Sequence, residues 1–155
     1  ILSGPDRVST SLDRVAGCQR ALDEAGIDAE GRLVLSGEFT QNSGYNMAIE
    51  ALAVTPPPTA LFAANNFIAI GALRAIRDSG LRVPEDLSLV GFDDLPPTLV
   101  TFPFLTVASQ PAYEMGQKAT ELLLNRLNKN ISGDYQEIVL PTELIVRQSS
   151  GPARL

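Results

Sequence analysis

The chain has 155 residues, 12 Lys and Arg against 18 Asp and Glu, no His, no Trp and one cysteine, Cys18. A chain of this size buries roughly 68–70% of its unfolded surface and holds a core without a disulfide or metal staple. The missing histidines and the lone Cys18 exclude a His-based triad, the usual zinc ligand sets and a disulfide framework within the chain. A net charge of −6 argues against a surface that grips nucleic-acid phosphates. No apolar run of about 18 residues reads as a membrane span, and the first residues do not carry the zones of a signal peptide.

Ile1-Leu2-Ser3-Gly4-Pro5 reads as the end of a strand entering a turn, so the chain is expected to be a piece of a longer protein. A first helix carries Leu12, Val15, Ala16, Gln19 and Leu22 at helical spacing and stops at Gly26. Residues 32–36 form the next apolar strand. Met47, Ile49, Ala51 and Leu52 open a second helix, which Thr55-Pro56-Pro57-Pro58 ends because prolines cannot continue it. A strand over 60–64 leads to a third helix, capped by Asn66, striped by Phe67, Ile70, Leu73 and Ile76, and closed by Gly80. Residues 87–92 form a fourth strand. Strand starts recur about thirty residues apart, the interval of a βαβ unit, so the predicted class is α/β: a parallel sheet in a three-layer α/β/α lobe.

After Asp94 the pattern changes. Residues 95–103 hold three prolines and read as a loop, 105–109 as a short strand, and 111–130 as a long helix opened by Pro111. Met115, Ala119, Leu122, Leu123, Leu124 and Leu127 give that helix a wide apolar face that something must cover. Residues 130–135 read as a turn, 137–140 and 144–146 as extended segments interrupted by Pro141, and Gly151-Pro152 as the start of a frayed tail. No heptad run suggests a coiled coil.

In an open parallel sheet, function is sought at the carboxyl ends of the strands, where loops and helix N-termini converge. Those ends supply Ser9, Thr10 and Arg14, then Glu38, Phe39 and Thr40, then Asn65 and Asn66, and finally Asp93 and Asp94. Amides and carboxylates exchange hydrogen bonds with hydroxyls, Arg14 adds a fork of donors, and an aromatic stacks on a sugar face or a base, so the set suits a polyol. No glycine-rich phosphate cradle follows any strand. Plainer roles stand beside these. Thr10, Ser11 and Asn66 can be helix caps, Cys18 a buried small apolar residue, and Tyr45, Met47 and the Phe67 stripe core or subunit interface. Arg14, placed in the first turn of its helix, opposes the macrodipole there, which favours a functional role. Asp93 and Asp94 are either one solvent-facing and one loop-capping acid, or an acid pair for catalysis or Mg²⁺ without the cationic phosphate partner such a site needs.

Ser3-Gly4-Pro5 with Arg14-Val15-Ala16-Gly17, then 58–65, 69–73 and above all 80–94, resemble the effector domains of lactose-repressor-type (LacI/GalR) transcription regulators. Leu105-Thr106, Gln110-Pro111, Met115-Gly116 and the end from Leu140-Pro141 through Arg147 to Ser149 agree. The resemblance implies a periplasmic-binding-protein-like fold of two lobes closing on a small effector. Residues 1–109 and 141–150 would form the C-terminal lobe, 110–140 a helix and strand of the N-terminal lobe, and 151–155 a tail. It maps effector contacts onto Thr10, Arg14, Phe39, Asn65, Asp93 and Gln110, with Arg14 and Asp93 holding polar groups and Phe39 packing on a ring. The family usually has Asn-Asp where this chain has Asn65-Asn66.

The implied partners are a small effector of sugar or nucleobase class, operator DNA reached only through a DNA-binding domain outside this chain, and a second copy in a homodimer. No cofactor, metal or membrane is expected, and the implied location is cytoplasmic. Two other classes compete: a periplasmic sugar-binding protein of a transporter, and an enzyme using Asp93 and Asp94 as a catalytic pair.

Overall fold

The computed structural model describes residues 1–27, 33–95, 102–128 and 134–152. Ten elements follow in order: β1 (Leu2–Ser3), α1 (Ser9–Glu24), β2 (Leu35–Ser36), α2 (Gln41–Leu52), β3 (Ala60–Ala63), α3 (Asn66–Asp78), β4 (Ser88–Phe92), β5 (Thr106–Ser109), α4 (Ala112–Leu127) and β6 (Glu143–Ile145). The strands form one sheet in the order β2-β1-β3-β4-β5-β6. The first five are mutually parallel, with Leu2 opposite Leu35 and Leu61 opposite Leu89, and β6 runs antiparallel to β5 with Val107 opposite Ile145. The mostly parallel α/β class is as the strand spacing predicts.

The sheet buries one face better than the other. Along β3 and β4, Leu61, Ala63, Leu89 and Gly91 are buried while Phe62, Val90 and Phe92 are half-buried. The buried face packs on α2 and α3, whose Met47, Ala48, Ala51, Ile68, Ala72 and Ile76 complete the core. These helices touch backbone to backbone: a Cβ on Gly44 would collide with Ile68, and one on Gly71 with Gln41. Crossovers between parallel strands are right-handed, and the chain moves from β1 to β2 in one direction and to β3 in the other. That reversal puts α1 on the opposite face from α2 and α3, and opens a crevice beside β1 and β3.

The predicted stops are true caps. Gly26 and Gly80 take left-handed backbone (φ 65° and 73°). Behind each, the next residue's N–H reaches back to close a Schellman turn, Ile27 to Leu22 O at 2.9 Å and Leu81 to Ile76 O at 3.1 Å. The predicted starts need correction. Val8, without a side-chain bond, precedes α1, so Thr10 and Ser11 lie inside the helix and Arg14 falls in its second turn. Asn65, rather than Asn66, caps α3, its Oδ1 accepting from Ile68 N–H at 2.8 Å. α2 begins at Gln41, where Thr40 Oγ1 accepts from Ser43 N–H at 3.1 Å, well before the predicted opening at Met47.

Two predicted stripes are also rotated. The side of α1 turned to the sheet carries Ser11, Arg14, Val15, Cys18 and Leu22, whereas Leu12, Ala16 and Gln19 face outward. On α3 the buried residues are Ile68, Ala69, Gly71, Ala72, Ala75 and Ile76; of the predicted stripe Ile76 is buried, Ile70 and Leu73 are half-buried against the core, and Phe67 is exposed. The apolar face of α4 is as broad as predicted: Met115, Leu123, Leu124 and Leu127 are exposed, and no residue of the helix is buried among the described residues. Residues 137–140 form no strand. Residue 32, residues 96–101 of the predicted loop, 129–133 of the predicted helix end and turn, and 153–155 of the tail lie outside the described residues.

Candidate functional site

An open cleft of about 590 Å³ lies on the less covered face of the sheet, lined by Thr10, Asp13, Arg14, Gly17, Cys18, Phe62, Phe92 and Gln110. Each lining residue is there for a topological reason. α1 leaves the sheet at the strand-order reversal, so its inward side overhangs the carboxyl ends of β3 and β4. Phe62 and Phe92 point to that side because Leu61, Ala63 and Gly91 point to the core. Gln110 follows β5 directly and reaches in from the rim.

Arg14 organises the polar side. Its Nη1 donates to the carbonyl of Ala64 at 2.6 Å, and its guanidinium lies over the Phe92 ring with Cζ 3.8 Å from the centroid. Burial pushes the Arg14 pKa below its ordinary value, and the neighbouring Asp93 charge opposes that shift. The residue stays cationic, because an arginine is not deprotonated in proteins. Asp93 closes the far side. It holds a left-handed φ of 67°, and its Oδ2 accepts from Gln110 Nε2 at 3.1 Å.

The structure brings Thr10, Arg14 and Gln110 together in the lining and sets Asp93 at its edge, bonded to Gln110 and beside Arg14. It places Phe39 and Asn65 apart from the cleft lining. The ring of Phe39 packs over Gly4, where a Cβ would collide with it, and against the core. The Asn65 oxygen is committed to the α3 cap. Cys18, predicted as a buried core residue, is half-buried and faces the cleft. With Cys18, five lining residues lie outside the predicted set: Asp13 and Gly17 also come from the inward side of α1, and Phe62 and Phe92 sit within strands just before the carboxyl ends, where apolar residues look like core. Alternation along β4 was the available clue, since it turns Phe92 away from buried Gly91.

The adjacent acids do not form a shared pair. Asp94 turns away from Asp93 and meets Arg147 through two bonds of 2.6 and 2.8 Å, so an acid–base or metal site built on both carboxylates does not fit this geometry. No group of three or more His, Cys, Asp or Glu side chains is placed to hold a metal among the described residues. The cleft offers one cation, one acid, an amide, a hydroxyl and two aromatic faces, with Asp93 a second acid at its edge, the chemistry that binds a neutral, polyhydroxylated ring. A second hollow of about 630 Å³ lies beside α3, with apolar Ile70, Leu73, Leu81, Val83 and Phe104 in its lining.

This chain belongs to the family of periplasmic binding protein-like domains, which matches residues 1–150. Among its relatives, the HTH-type transcriptional repressor PurR of Haemophilus influenzae is 35% identical over 151 residues, covering 96% of this chain and 45% of that protein. A LacI family transcriptional regulator from Enterococcus faecium, solved with bound ribose, superposes with a TM-score of 0.86 at 29% identity, covering 99% of this chain and 56% of the other. The lac repressor dimer bound to operator and the anti-inducer ONPF superposes with a TM-score of 0.80 at 31% identity, covering 96% and 51%. This chain thus spans about half the length of its relatives. Those relatives are LacI-family regulators rather than enzymes, as the motif resemblance implies. No helix among the described residues is long and apolar enough to cross a membrane.

Proposed function

We propose that this chain is the effector-sensing part of a bacterial transcriptional regulator of the repressor kind, and that its effector is a small sugar. The observation that carries the proposal is the cleft itself: Thr10, Arg14 and Gln110 gathered over Phe62 and Phe92, with Asp93 bonded to Gln110 at the edge, on a fold whose relatives include a regulator solved with ribose. Arg14, Asp93 and Gln110 hold the hydroxyls, Thr10 adds a bond at the mouth, and the two aromatic rings pack against the sugar face. Phe39 and Asn65 belong to the site from behind, Phe39 by supporting the turn at Gly4 and Asn65 by fixing the start of α3.

Residues 1–109 and 141–150 act as one lobe, and 110–140 contribute to a second lobe that closes over the ligand. The exposed apolar face of α4 packs within that second lobe. Ligand favours the closed arrangement to the extent that it binds that arrangement more tightly, and ligand and operator then alter each other's affinity equally. Couplings of this kind are typically about 1–3 kcal/mol. Operator DNA is bound by a domain outside these residues, in the cytoplasm, by a homodimer whose two-fold axis matches a palindromic site. The regulator needs no cofactor and carries out no reaction.

The test is Arg14→Ala in the intact regulator. Operator binding is retained and the response to sugar is abolished in a reporter assay; a retained sugar response contradicts the proposal.

A further inference from the structure

We infer that Arg147 is a positioning residue for the cleft, acting through Asp94 to fix the direction in which Asp93 presents its carboxylate. The inference rests on the reading of Asp93 as an effector contact. β4 ends at Phe92, and the next residue takes a φ of 67°, a left-handed conformation that is uncommon outside glycine, though aspartate adopts it more readily than most. One restraint is on Asp93 itself, whose N–H donates to Ala108 O at 2.9 Å. The denser set is on its neighbour. Asp94 Oδ2 accepts from Arg147 Nη2 at 2.6 Å, Oδ1 accepts from Arg147 Nη1 and from Leu95 N–H, both at 2.8 Å, and the Asp94 carbonyl accepts from Asn66 Nδ2 at 3.1 Å.

Arg147 is in turn anchored. Its side chain is only 15% exposed, its Nη1 also donates to Leu105 O at 2.9 Å, and its main-chain N–H donates to Thr106 Oγ1 at 2.9 Å. A planar guanidinium fork bonded to both carboxylate oxygens restrains rotation as well as distance. The peptide joining Asp93 to Asp94 therefore cannot turn without breaking paired bonds. The consequence falls on Asp93, whose Oδ2 stays 3.1 Å from Gln110 Nε2 and beside Arg14. The Arg147 bond holds the Asp94 carboxyl below its ordinary range, which keeps the pair ionised. Asp93 meets the cleft through Gln110 and Arg14, whereas Asp94 and Arg147 bond to none of the lining residues, so their contribution is orientation alone.

The experiment reads the orientation without any ligand, in the intact protein labelled with ¹⁵N-glutamine, with the Gln110 side-chain amide assigned by substitution. In Arg147→Gln those signals move toward the positions of free glutamine, and in Arg147→Lys, which keeps the charge but not the fork, they move part of the way. Asp94→Asn preserves shape and the Leu95 contact, and gives the same shift should Arg147→Gln fail to fold. A role limited to holding the fold together lowers the melting temperature and leaves these signals in place. Unmoved Gln110 signals in a folded Asp94→Asn or Arg147→Gln protein overturn the inference. Because no sugar is added, a positive result in a protein that binds no sugar separates failure of the functional reading from failure of this one.

Discussion

Arg14 lies over Phe92, its Cζ 3.8 Å from the ring centroid, while Nη1 is held by the Ala64 carbonyl at 2.6 Å. The ring and the carbonyl fix the guanidinium in a half-buried position before any ligand arrives, so its remaining donors are aimed in advance. Preorganisation of this kind raises affinity by removing an ordering cost. Phe92→Leu keeps an apolar side chain but removes the π-face. The expected loss is about 1 kcal/mol, roughly fivefold in affinity for a sugar ligand, measured by calorimetric titration. Unchanged affinity would show that the carbonyl alone orients Arg14.

The glycines divide by what surrounds them. Gly71 faces backbone atoms of α2, so Gly71→Ala forces α2 and α3 apart and costs about 3 kcal/mol. Gly17 is in mid-helix with nothing within 4 Å of where a Cβ would stand. Gly17→Ala therefore stabilises the fold by about 0.5–1 kcal/mol through helix propensity. Gly80→Ala meets open space but must adopt a φ of 73°, which costs about 1–2 kcal/mol. Urea unfolding of the three variants checks both the order and the signs.

The fold was readable in the sequence where periodicity is strong. Strands 60–64 and 87–92 carry mainly apolar runs, and Gly26 and Gly80 mark helix ends because a left-handed C′ position favours glycine. α1 was harder to read because its inward side serves a polar cleft. Ser11, Arg14 and Cys18 replace the apolar residues that periodicity looks for, and outward Leu12 and Ala16 supply a false stripe. The site was half legible for a related reason. Arg14 and Asp93 are conspicuous at strand ends, but Phe62 and Phe92 look like core residues until the uneven cover of the two sheet faces is known. Phe39 looked like a rim residue because its position past β2 says nothing of Gly4, into whose vacant side its ring packs.

The Asp94–Arg147 pair gives a pH signature. Hydrogen bonding from Arg147, helped by the Leu95 N–H, sets the folded-state pKa of Asp94 below its ordinary 3.8 despite opposing desolvation. A carboxylate with a depressed folded pKa contributes stability that is fully present above the unfolded value and is lost as pH falls through the folded one. The melting-temperature advantage of the wild type over Asp94→Asn is therefore constant from neutral pH to about pH 5 and shrinks below 3.8. An advantage that grows on acidification would contradict the assignment of the pair.

The exposed face of α4 carries its own expectation. Leu123, Leu124 and Leu127 are 58%, 51% and 68% exposed, an apolar surface that a monomer of these residues alone leaves in water. Expressed as the 155-residue chain, the protein self-associates with rising concentration in light scattering, and Leu123→Glu with Leu127→Glu reduces the association. A monodisperse monomer at high concentration would contradict this.

The cleft around Arg14 and Asp93 is proposed to take a sugar. The most direct measurement is the thermal stability of the intact protein against a panel of neutral pentoses, hexoses and disaccharides, repeated with Arg14→Ala. At least one sugar is expected to raise the wild-type melting temperature, and the same sugar at the same concentration to leave the variant unmoved. A sugar that stabilises both proteins equally, or a panel in which none stabilises the wild type, would contradict the proposal.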